Sequence, residues 1–171
     1  LENQSTRFAQ LPEKPEVIVA LGGGSVIDTA KVLSAASADP NILPKLLQKE
    51  PSSVNLTTIP IIAVPTTAGT GSEVTCWATV WSSDTNRKFS LSRKELYPEI
   101  ALLDPNLMLK KPRDLTLATA LDALSHALES IWNINANPVS ARFAIAAAEA
   151  IMRDLPNLYS NLDDLELRSS I

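Results

Sequence analysis

Short, uninterrupted apolar runs mark the first part of the chain and predict buried strands. Val17–Leu21 lies between a proline and a glycine, and Pro60–Val64 is followed directly by another proline. Runs of this length without alternation are typical of strands that are buried on both faces, as in a parallel sheet. Ile100–Leu103 predicts a further short strand.

Helical spacing and alternation predict the elements between these strands. Ser25–Ala38 keeps apolar residues at helical spacing, and Ser25 with Asp28 in its first turn resembles a capping box. The connector that follows predicts a short helix at Ile42–Lys49. After the second strand, a period-two pattern with a turn at Ser82–Arg87 and a return strand predicts a β-hairpin.

The second part of the chain has a different amino-acid composition. Leu115–Ser130 and Pro138–Leu155 are rich in alanine and leucine with few β-branched residues, and both predict helices. A third helix is predicted at Leu162–Ile171. We therefore expect an α/β portion over residues 1–110 and an all-α portion over residues 111–171.

Composition narrows the class of protein. The apolar share of 45% and the charged share of 20% are ordinary for a globular chain of 171 residues. The net charge of −4 argues against a nucleic-acid-binding protein. Cys76 is the single cysteine, so no intrachain disulfide can form and the chain suits a reducing compartment, which we expect to be the cytoplasm. No apolar run approaches the roughly 20 residues that span a bilayer, so we expect no membrane partner.

Both ends of the sequence suggest a piece of a longer protein. The chain begins at Leu1 without a methionine, and it stops at Ile171 without a glycine or proline stop signal. We expect it to be truncated at both ends. An apolar face within Ala141–Ile151 also leads us to expect that this piece associates with itself.

A glycine-rich segment, LGGGSVIDTAK over residues 21–31, joins the first strand to the first helix. Glycines let a phosphate approach the backbone closely, and the free N–H groups at a helix N-terminus then bind the anion. A tight turn without a ligand is the alternative. The segment is neither a GxGxxG motif nor a Walker A loop.

A second loop, PTTAGTGSEVT over residues 65–75, follows the next buried strand. Loops at the carboxyl ends of parallel strands are where such sheets bind ligands. Its hydroxyls and glycines can surround a ribose or a nicotinamide amide. A flexible polar loop without a ligand is the alternative.

Asp122 and His126 lie at positions i and i+4 of a predicted helix, so they share one face. This spacing can place an oxygen and a nitrogen on one divalent metal ion, with further ligands from elsewhere. A hydrogen-bonded pair or a core histidine is the alternative reading of the spacing alone. His126 is the only histidine of the sequence.

Taken in order, these motifs resemble the iron-containing (group III) alcohol dehydrogenases. The resemblance covers nearly the whole chain and is carried by GGGSVIDTAK, PTTAGTGSEVT, LYPEIALLDPNL, ATALDALSHALES and NPVSARFAIAAAEAI. Ala120 stands where the family usually has glycine. The segment from Thr79 to Leu91, with the following LYP, is similar to the phosphonoacetaldehyde-reductase branch.

The resemblance implies a fold and a set of site residues. The implied fold class is an α/β dinucleotide-binding portion followed by the start of an all-α domain, as in dehydroquinate synthase-like and iron-type alcohol dehydrogenase folds. The implied coenzyme residues are Gly23, Gly24 and Ser25 at the pyrophosphate, Asp28 near the nicotinamide, Thr66, Thr67, Thr70 and Ser72 in the loop, and Lys88 at the ribose. Asp122 and His126 match the first two of four metal ligands, and the other two would lie beyond Ile171.

The implied activity is hydride transfer between NAD or NADP and a metal-bound alcohol or aldehyde, with Fe²⁺ or Zn²⁺ as the metal. We expect the intact enzyme to be a homo-oligomer and this piece to be inactive alone. A zinc-dependent glycerol-dehydrogenase-like enzyme of the same superfold is one alternative. A nucleotide-binding piece without catalysis is the other.

Overall fold

A computed structural model of the chain describes residues 7, 8, 10, 11, 13, 15–36, 56–82 and 87–171. The strands within these residues are β1 (Ile18–Gly22), β2 (Ile61–Pro65), β3 (Trp77–Ser82), β4 (Arg87–Ser92) and β5 (Ile100–Ala101). The helices are α1 (Gly24–Ala35), α2 (Arg113–Ile131), α3 (Pro138–Ser160) and α4 (Leu165–Ser170). Short 3₁₀ turns occur at Ser72–Val74, Lys94–Leu96 and Pro105–Met108. The helix predicted at Ile42–Lys49 lies outside the described residues.

The chain forms two compact units. The first consists of Leu1–Pro65 and Ser72–Leu103, and the second of Thr66–Gly71 and Asp104–Ile171. This division differs from the predicted one, 1–110 and 111–171, in two respects. The boundary between the units lies after Leu103, a few residues before the predicted boundary at residue 110. In addition, six residues of the polar loop that follows β2 belong to the second unit with the helices.

The first unit contains a parallel sheet in the strand order β1-β2-β5. β1 pairs with β2 from Ile18↔Ile61 to Gly22↔Pro65. Helix α1 packs on one face of this sheet and forms a core with it from Ala20, Ile27, Ala30, Ile61 and Ala63. The prediction that β1 is buried on both faces is wrong for the described structure. Val19 and Leu21 are 62% and 57% exposed, because the described residues cover only one face of the strand.

The predicted hairpin is present as the antiparallel pair β3 and β4. Its inner face packs against the end of α1 in a second core cluster, Val32, Ala35, Ala36, Ala78, Val80, Leu91 and Leu96. Ser82 and Arg87 form the last pair of the ladder rather than part of the turn. The turn residues between them lie outside the described part of the chain.

The second unit is built on the packing of α2 against α3. Two small clusters join them, one around Ala120, Ile151 and Leu155 and one of Ala127, Ala144 and Ala148. Alanines at these positions let the two helix backbones approach closely. No helix among the described residues combines the length and apolar character needed to cross a bilayer.

Local capping sets the start of α3, and its end lies beyond the predicted one. The Asn137 carboxamide oxygen accepts hydrogen bonds from the Val139 and Ser140 N–H groups, and the Ser140 hydroxyl accepts one from the Asn137 N–H. This reciprocal arrangement is a capping box. The helix continues through Pro156 to Ser160, whereas the sequence predicted an end at Leu155.

Candidate functional site

The glycine-rich turn between β1 and α1 is tightly packed at Gly22. Its φ of +157° is a backbone conformation that L side chains rarely adopt. A Cβ atom there would lie 2.6 Å from Cγ2 of Val26. Only glycine therefore allows the first turn of α1 to approach the end of β1 this closely. The predicted site residues did not include Gly22, although its place at the end of an apolar run was a signal for it.

The N-terminus of α1 has no side-chain cap. Gly23 is the N-cap residue in an extended conformation, and Gly24 and Ser25 begin the helix. The first backbone N–H groups of a helix have no acceptor within the helix, so here they can serve a ligand. Phosphate oxygens suit such a position because the helix dipole adds to the hydrogen bonds. Gly23, Gly24 and Ser25 thus lie together at a position that fits a pyrophosphate group.

The predicted capping box of Ser25 and Asp28 is wrong. The Asp28 carboxylate instead accepts hydrogen bonds from two distant donors, the Ser72 hydroxyl to Oδ1 at 2.6 Å and the Thr79 N–H to Oδ2 at 2.9 Å. Long-range donors therefore take the carboxylate away from its own helix end. Of the predicted coenzyme residues, Asp28 and Ser72 are brought into direct contact, and Ser72 is only 4% exposed.

Lys31 lies in the same network and was not among the predicted site residues. Its side chain is fully buried, and Nζ donates hydrogen bonds to the carbonyl oxygens of Ser72 at 2.6 Å and Trp77 at 2.7 Å. Nζ also donates to the hydroxyls of Ser72 at 3.0 Å and Thr75 at 3.3 Å, and it lies 4.0 Å from Oδ1 of Asp28. Burial lowers the pKa of Lys31, and the negative charge of Asp28 partly offsets this. The sequence feature that could have indicated a buried ion pair was a lysine three residues after an aspartate, on an otherwise apolar face of the helix.

The polar loop after β2 is divided between the two units. Thr66, Thr67 and Thr70 belong to the second unit, whereas Ser72 belongs to the first. Gly69 packs against α2 of its own unit, where a Cβ atom would lie 3.1 Å from both Cβ and the carbonyl oxygen of Thr119. The three predicted threonines therefore belong to the same unit as α2, and Ser72 belongs to the same unit as α1.

Lys88 lies on β4 opposite Trp81 of β3. Its Nζ lies 5.9 Å from the centroid of the Trp81 ring, at the outer limit of a cation–π contact. Both side chains are exposed. Lys88 is thus accessible to a ligand, as a residue that contacts a ribose must be.

Asp122 and His126 lie on one face of α2, with 3.6 Å between Oδ2 and Nε2. Two ligands of one metal ion with bonds of about 2.1 Å in tetrahedral geometry are about 3.4 Å apart, so these donor atoms fit two coordination positions. A carboxylate oxygen and an imidazole nitrogen also suit Fe²⁺ or Zn²⁺ chemically. The side chains are 48% and 59% exposed, so further ligands can reach them. Within the described residues, no group of three or more His, Cys, Asp or Glu residues is placed to hold a metal ion.

Two buried cations, Lys111 and Arg168, lie in the second unit, and neither was among the predicted site residues. Lys111 is 9% exposed and donates a hydrogen bond to the Thr119 hydroxyl at 2.9 Å. Arg168 is 4% exposed and donates to the hydroxyl of Thr116 at 2.9 Å, the carbonyl oxygen of Leu162 at 3.0 Å and that of Lys111 at 3.4 Å. Burial and the nearby Arg168 charge lower the pKa of Lys111 to about 8.

Comparison with known families gives two matches that together cover most of the chain. The family described as iron-containing alcohol dehydrogenase matches residues 6–105. The C-terminal region of the Fe-containing alcohol dehydrogenase family matches residues 116–171. The first match contains the glycine turn, the polar loop and Lys88, and the second contains Asp122 and His126.

Individual proteins agree with this assignment. The NAD-dependent methanol dehydrogenase of Bacillus methanolicus is 38% identical over 93% of the chain and 41% of that enzyme. The sulfoacetaldehyde reductase of Bifidobacterium kashiwanohense, solved with NAD⁺, matches 99% of the chain and 44% of its own with a TM-score of 0.89 and 28% identity. An alcohol dehydrogenase from Oenococcus oeni matches 99% of the chain and 43% of its own, with a TM-score of 0.89 and 31% identity. The chain thus spans about two fifths of the length of the curated relatives it matches.

Proposed function

The chain belongs to the iron-containing alcohol dehydrogenase family, and we propose that it forms the coenzyme turn and half of the metal site of a metal-dependent, NAD(P)-linked alcohol dehydrogenase. Such an enzyme oxidises an alcohol by transferring hydride to the nicotinamide, or reduces an aldehyde in the reverse direction. The chain would supply the pyrophosphate-binding helix α1 and two metal ligands on α2.

One observation carries this proposal over that of a simple nucleotide-binding module. Asp122 and His126 present an oxygen and a nitrogen 3.6 Å apart on an accessible helix face. Nucleotide binding alone does not require such a pair, whereas a divalent metal ion requires oxygen and nitrogen donors at about this separation. When bound, the metal supplies Lewis-acid polarisation of the alcohol oxygen, and the coenzyme accepts or donates the hydride.

The coenzyme half of the proposal rests on α1. Its uncapped first turn, at Gly23, Gly24 and Ser25, would hold the pyrophosphate through backbone N–H groups. The exposed Lys88 would reach the ribose, and Thr66, Thr67 and Thr70 would line the coenzyme through their hydroxyls. NAD is the coenzyme in the names of the methanol dehydrogenase and of the solved reductase complex, and we propose NAD or NADP here.

We further propose that this chain alone binds nucleotide without catalysing the reaction. Asp122 and His126 match only two of the four metal ligands that the resemblance implies, and the described residues place no further His, Cys, Asp or Glu beside them, so one copy of the chain would not complete the site. Calorimetric titration with NADH and NADPH should show binding of at least one of them. Binding of neither would contradict a working coenzyme site within this chain.

The metal site is tested in the complete natural protein that contains this sequence. We expect His126→Ala and Asp122→Ala to lose the metal, measured by elemental analysis, together with aldehyde reduction. Asp114→Ala is the matched control, because Asp114 is an exposed acid at the start of the same helix. Aldehyde reduction by His126→Ala with a full complement of metal would refute the assignment.

Substrate class, metal identity and assembly extend the same proposal. We propose Fe²⁺, with Zn²⁺ as the alternative, and a small alcohol or aldehyde as substrate in a cytoplasmic homo-oligomer. A substrate panel of methanol, acetaldehyde, sulfoacetaldehyde and phosphonoacetaldehyde tests the class. Preference for phosphonoacetaldehyde would support the branch that resembles phosphonoacetaldehyde reductases. Light scattering measures the assembly state.

A further inference from the structure

We propose that Lys31 is a positioning residue of the coenzyme site, which binds the segment Ser72–Thr79 to helix α1 and so sets the position of Asp28 and Ser72. The inference rests on the proposed coenzyme function of α1. It assigns a role to a side chain that cannot itself reach a ligand, since Lys31 is fully buried.

The hydrogen bonds of Lys31 all go to one segment of the chain. Its four hydrogen bonds, between 2.6 and 3.3 Å, go to Ser72, Thr75 and Trp77. Ser72 begins the 3₁₀ turn at the end of the polar loop, Thr75 directly follows that turn, and Trp77 is the first residue of β3. An ammonium group has three protons, so four acceptors share them, with one proton directed at two acceptors, and no donor is left over. The segment is therefore held at three points by a single buried group.

Asp28 supplies the second half of the same arrangement. Its Oδ1 lies 4.0 Å from the Lys31 Nζ and accepts the Ser72 hydroxyl, while its Oδ2 accepts the N–H of Thr79. The carboxylate thus partly offsets the buried charge and fixes the segment at a further point. Each carboxylate oxygen of Asp28 already accepts a hydrogen bond from the protein. Asp28 would therefore act on the coenzyme site by holding Ser72 and Thr79 in place.

The position of this network explains why it matters for the coenzyme. Asp28 and Lys31 lie one and two turns into the helix whose first turn would bind the pyrophosphate. The network fixes the distance between that turn and the segment Ser72–Thr79. One wall of the site is therefore already ordered before the coenzyme binds. Pre-ordered sites of this kind bind more tightly because less conformational entropy is lost.

The first test is hydrogen exchange on the chain with Lys31→Met, without coenzyme. We expect the amides of residues 72–79 to exchange at least about tenfold faster than in the unaltered chain, because several hydrogen bonds are lost. Lys31→Arg should restore little, because a planar guanidinium cannot direct its donors to acceptors that surround one nitrogen. Unchanged exchange in residues 72–79 would overturn the proposal.

The second test is the affinity for NADH, or for NADPH if the unaltered chain prefers it. We expect Lys31→Met to weaken binding by about tenfold, a loss of about 1.4 kcal/mol. Val32→Ala is the matched control, because it removes buried carbon from the same helix without touching the network. It should lower stability and leave the affinity of the folded chain unchanged.

The outcomes separate this inference from the proposed function. Faster exchange with unchanged affinity in Lys31→Met would show a structural lysine and overturn the positioning role. An equal loss of affinity in Val32→Ala would do the same. If the unaltered chain bound neither coenzyme, the proposed function of the chain would fail, and the exchange result would still decide whether Lys31 fixes this segment.

Discussion

The two units each bury a lysine, and they do so in opposite ways. Lys31 in the first unit donates four hydrogen bonds and has Asp28 at 4.0 Å. Lys111 in the second unit donates one hydrogen bond, to Thr119, and its main charged neighbour is the cation Arg168. Burial lowers the pKa of both lysines, but the charge of Asp28 partly offsets this at Lys31, whereas Arg168 adds to it at Lys111, whose pKa falls to about 8.

The difference shows what makes a buried charge useful. A buried charge costs several kcal/mol unless hydrogen bonds and an opposite charge compensate it. Lys31 is partly compensated by its four hydrogen bonds and by Asp28, so it can stabilise the segment that it binds. Lys111 is poorly compensated, so its charge opposes folding at neutral pH. Substitutions at the two lysines should therefore change stability in opposite directions.

The largest expected effect is that of Lys31→Met on stability. Removing the ammonium takes away the positive charge beside Asp28 and the donor to the oxygens of Ser72, Thr75 and Trp77, and we expect a loss of stability of about 3–5 kcal/mol. Urea denaturation followed by tryptophan fluorescence measures it. Lys94→Met, at an exposed lysine of the same unit, should change stability by less than about 0.5 kcal/mol. A small effect at Lys31 would remove the contrast between the two lysines.

Gly22→Ala should destabilise the same unit by about 2–4 kcal/mol, from a strained φ and a contact at 2.6 Å with Val26. Gly24→Ala is the control, because Gly24 is the first residue of α1 and its φ is not positive. It should be neutral or slightly stabilising. Thermal unfolding compares the two. Equal effects would show that the turn is not tightly packed.

Lys111→Met should stabilise the chain at pH 7. A fall of the pKa from 10.5 to about 8 corresponds to roughly 3 kcal/mol, at about 1.4 kcal/mol per pH unit. Loss of the hydrogen bond to Thr119 lowers this gain in stability by about 1 kcal/mol, so the expected net stabilisation is about 2 kcal/mol. Denaturation in urea at pH 7 measures it. Destabilisation would show that the charge is better compensated than its described neighbours indicate.

The pH dependence of Lys111→Met gives a sharper test. Between pH 8 and 10.5 the unfolded chain retains a proton on Lys111 that the folded chain has lost, so the stability of the unaltered chain rises with pH across this range. The variant lacks this rise, and its advantage should therefore shrink from pH 8 to 10.5. A constant difference between the two proteins would contradict the lowered pKa.

The sequence predicted those features that depend on neighbours along the chain. Glycine and proline mark the ends of β1 and β2, so both strands were placed to within a residue. The Asp122–His126 pair followed from helical spacing alone. Features that depend on distant residues were not predictable in the same way. The capping box failed because Asp28 turns to Ser72 and Thr79, which lie more than forty residues away.

Burial was the least predictable property. An isolated lysine in a sequence is expected at the surface, and only the folded positions of Ser72, Thr75 and Trp77 make Lys31 a core residue. Conversely, an apolar run predicts burial on both faces, yet the exposed side of β1 shows that coverage depends on other elements. The Lys31 network, which we propose positions the coenzyme site, therefore emerged from the structure.

The smallest expected effect concerns Gly69, where the second unit makes its own close contact. A Cβ at 3.1 Å from Cβ and the backbone oxygen of Thr119 requires a shift of a few tenths of an ångström, and the φ of Gly69 is not positive. Gly69→Ala should therefore cost about 1 kcal/mol, less than Gly22→Ala, because the loop can move while α2 cannot. Thermal unfolding measures the cost, and hydrogen exchange should show faster exchange confined to residues 66–71. A loss as large as that of Gly22→Ala would mean that the loop is fixed on α2 as firmly as α1 is fixed on β1.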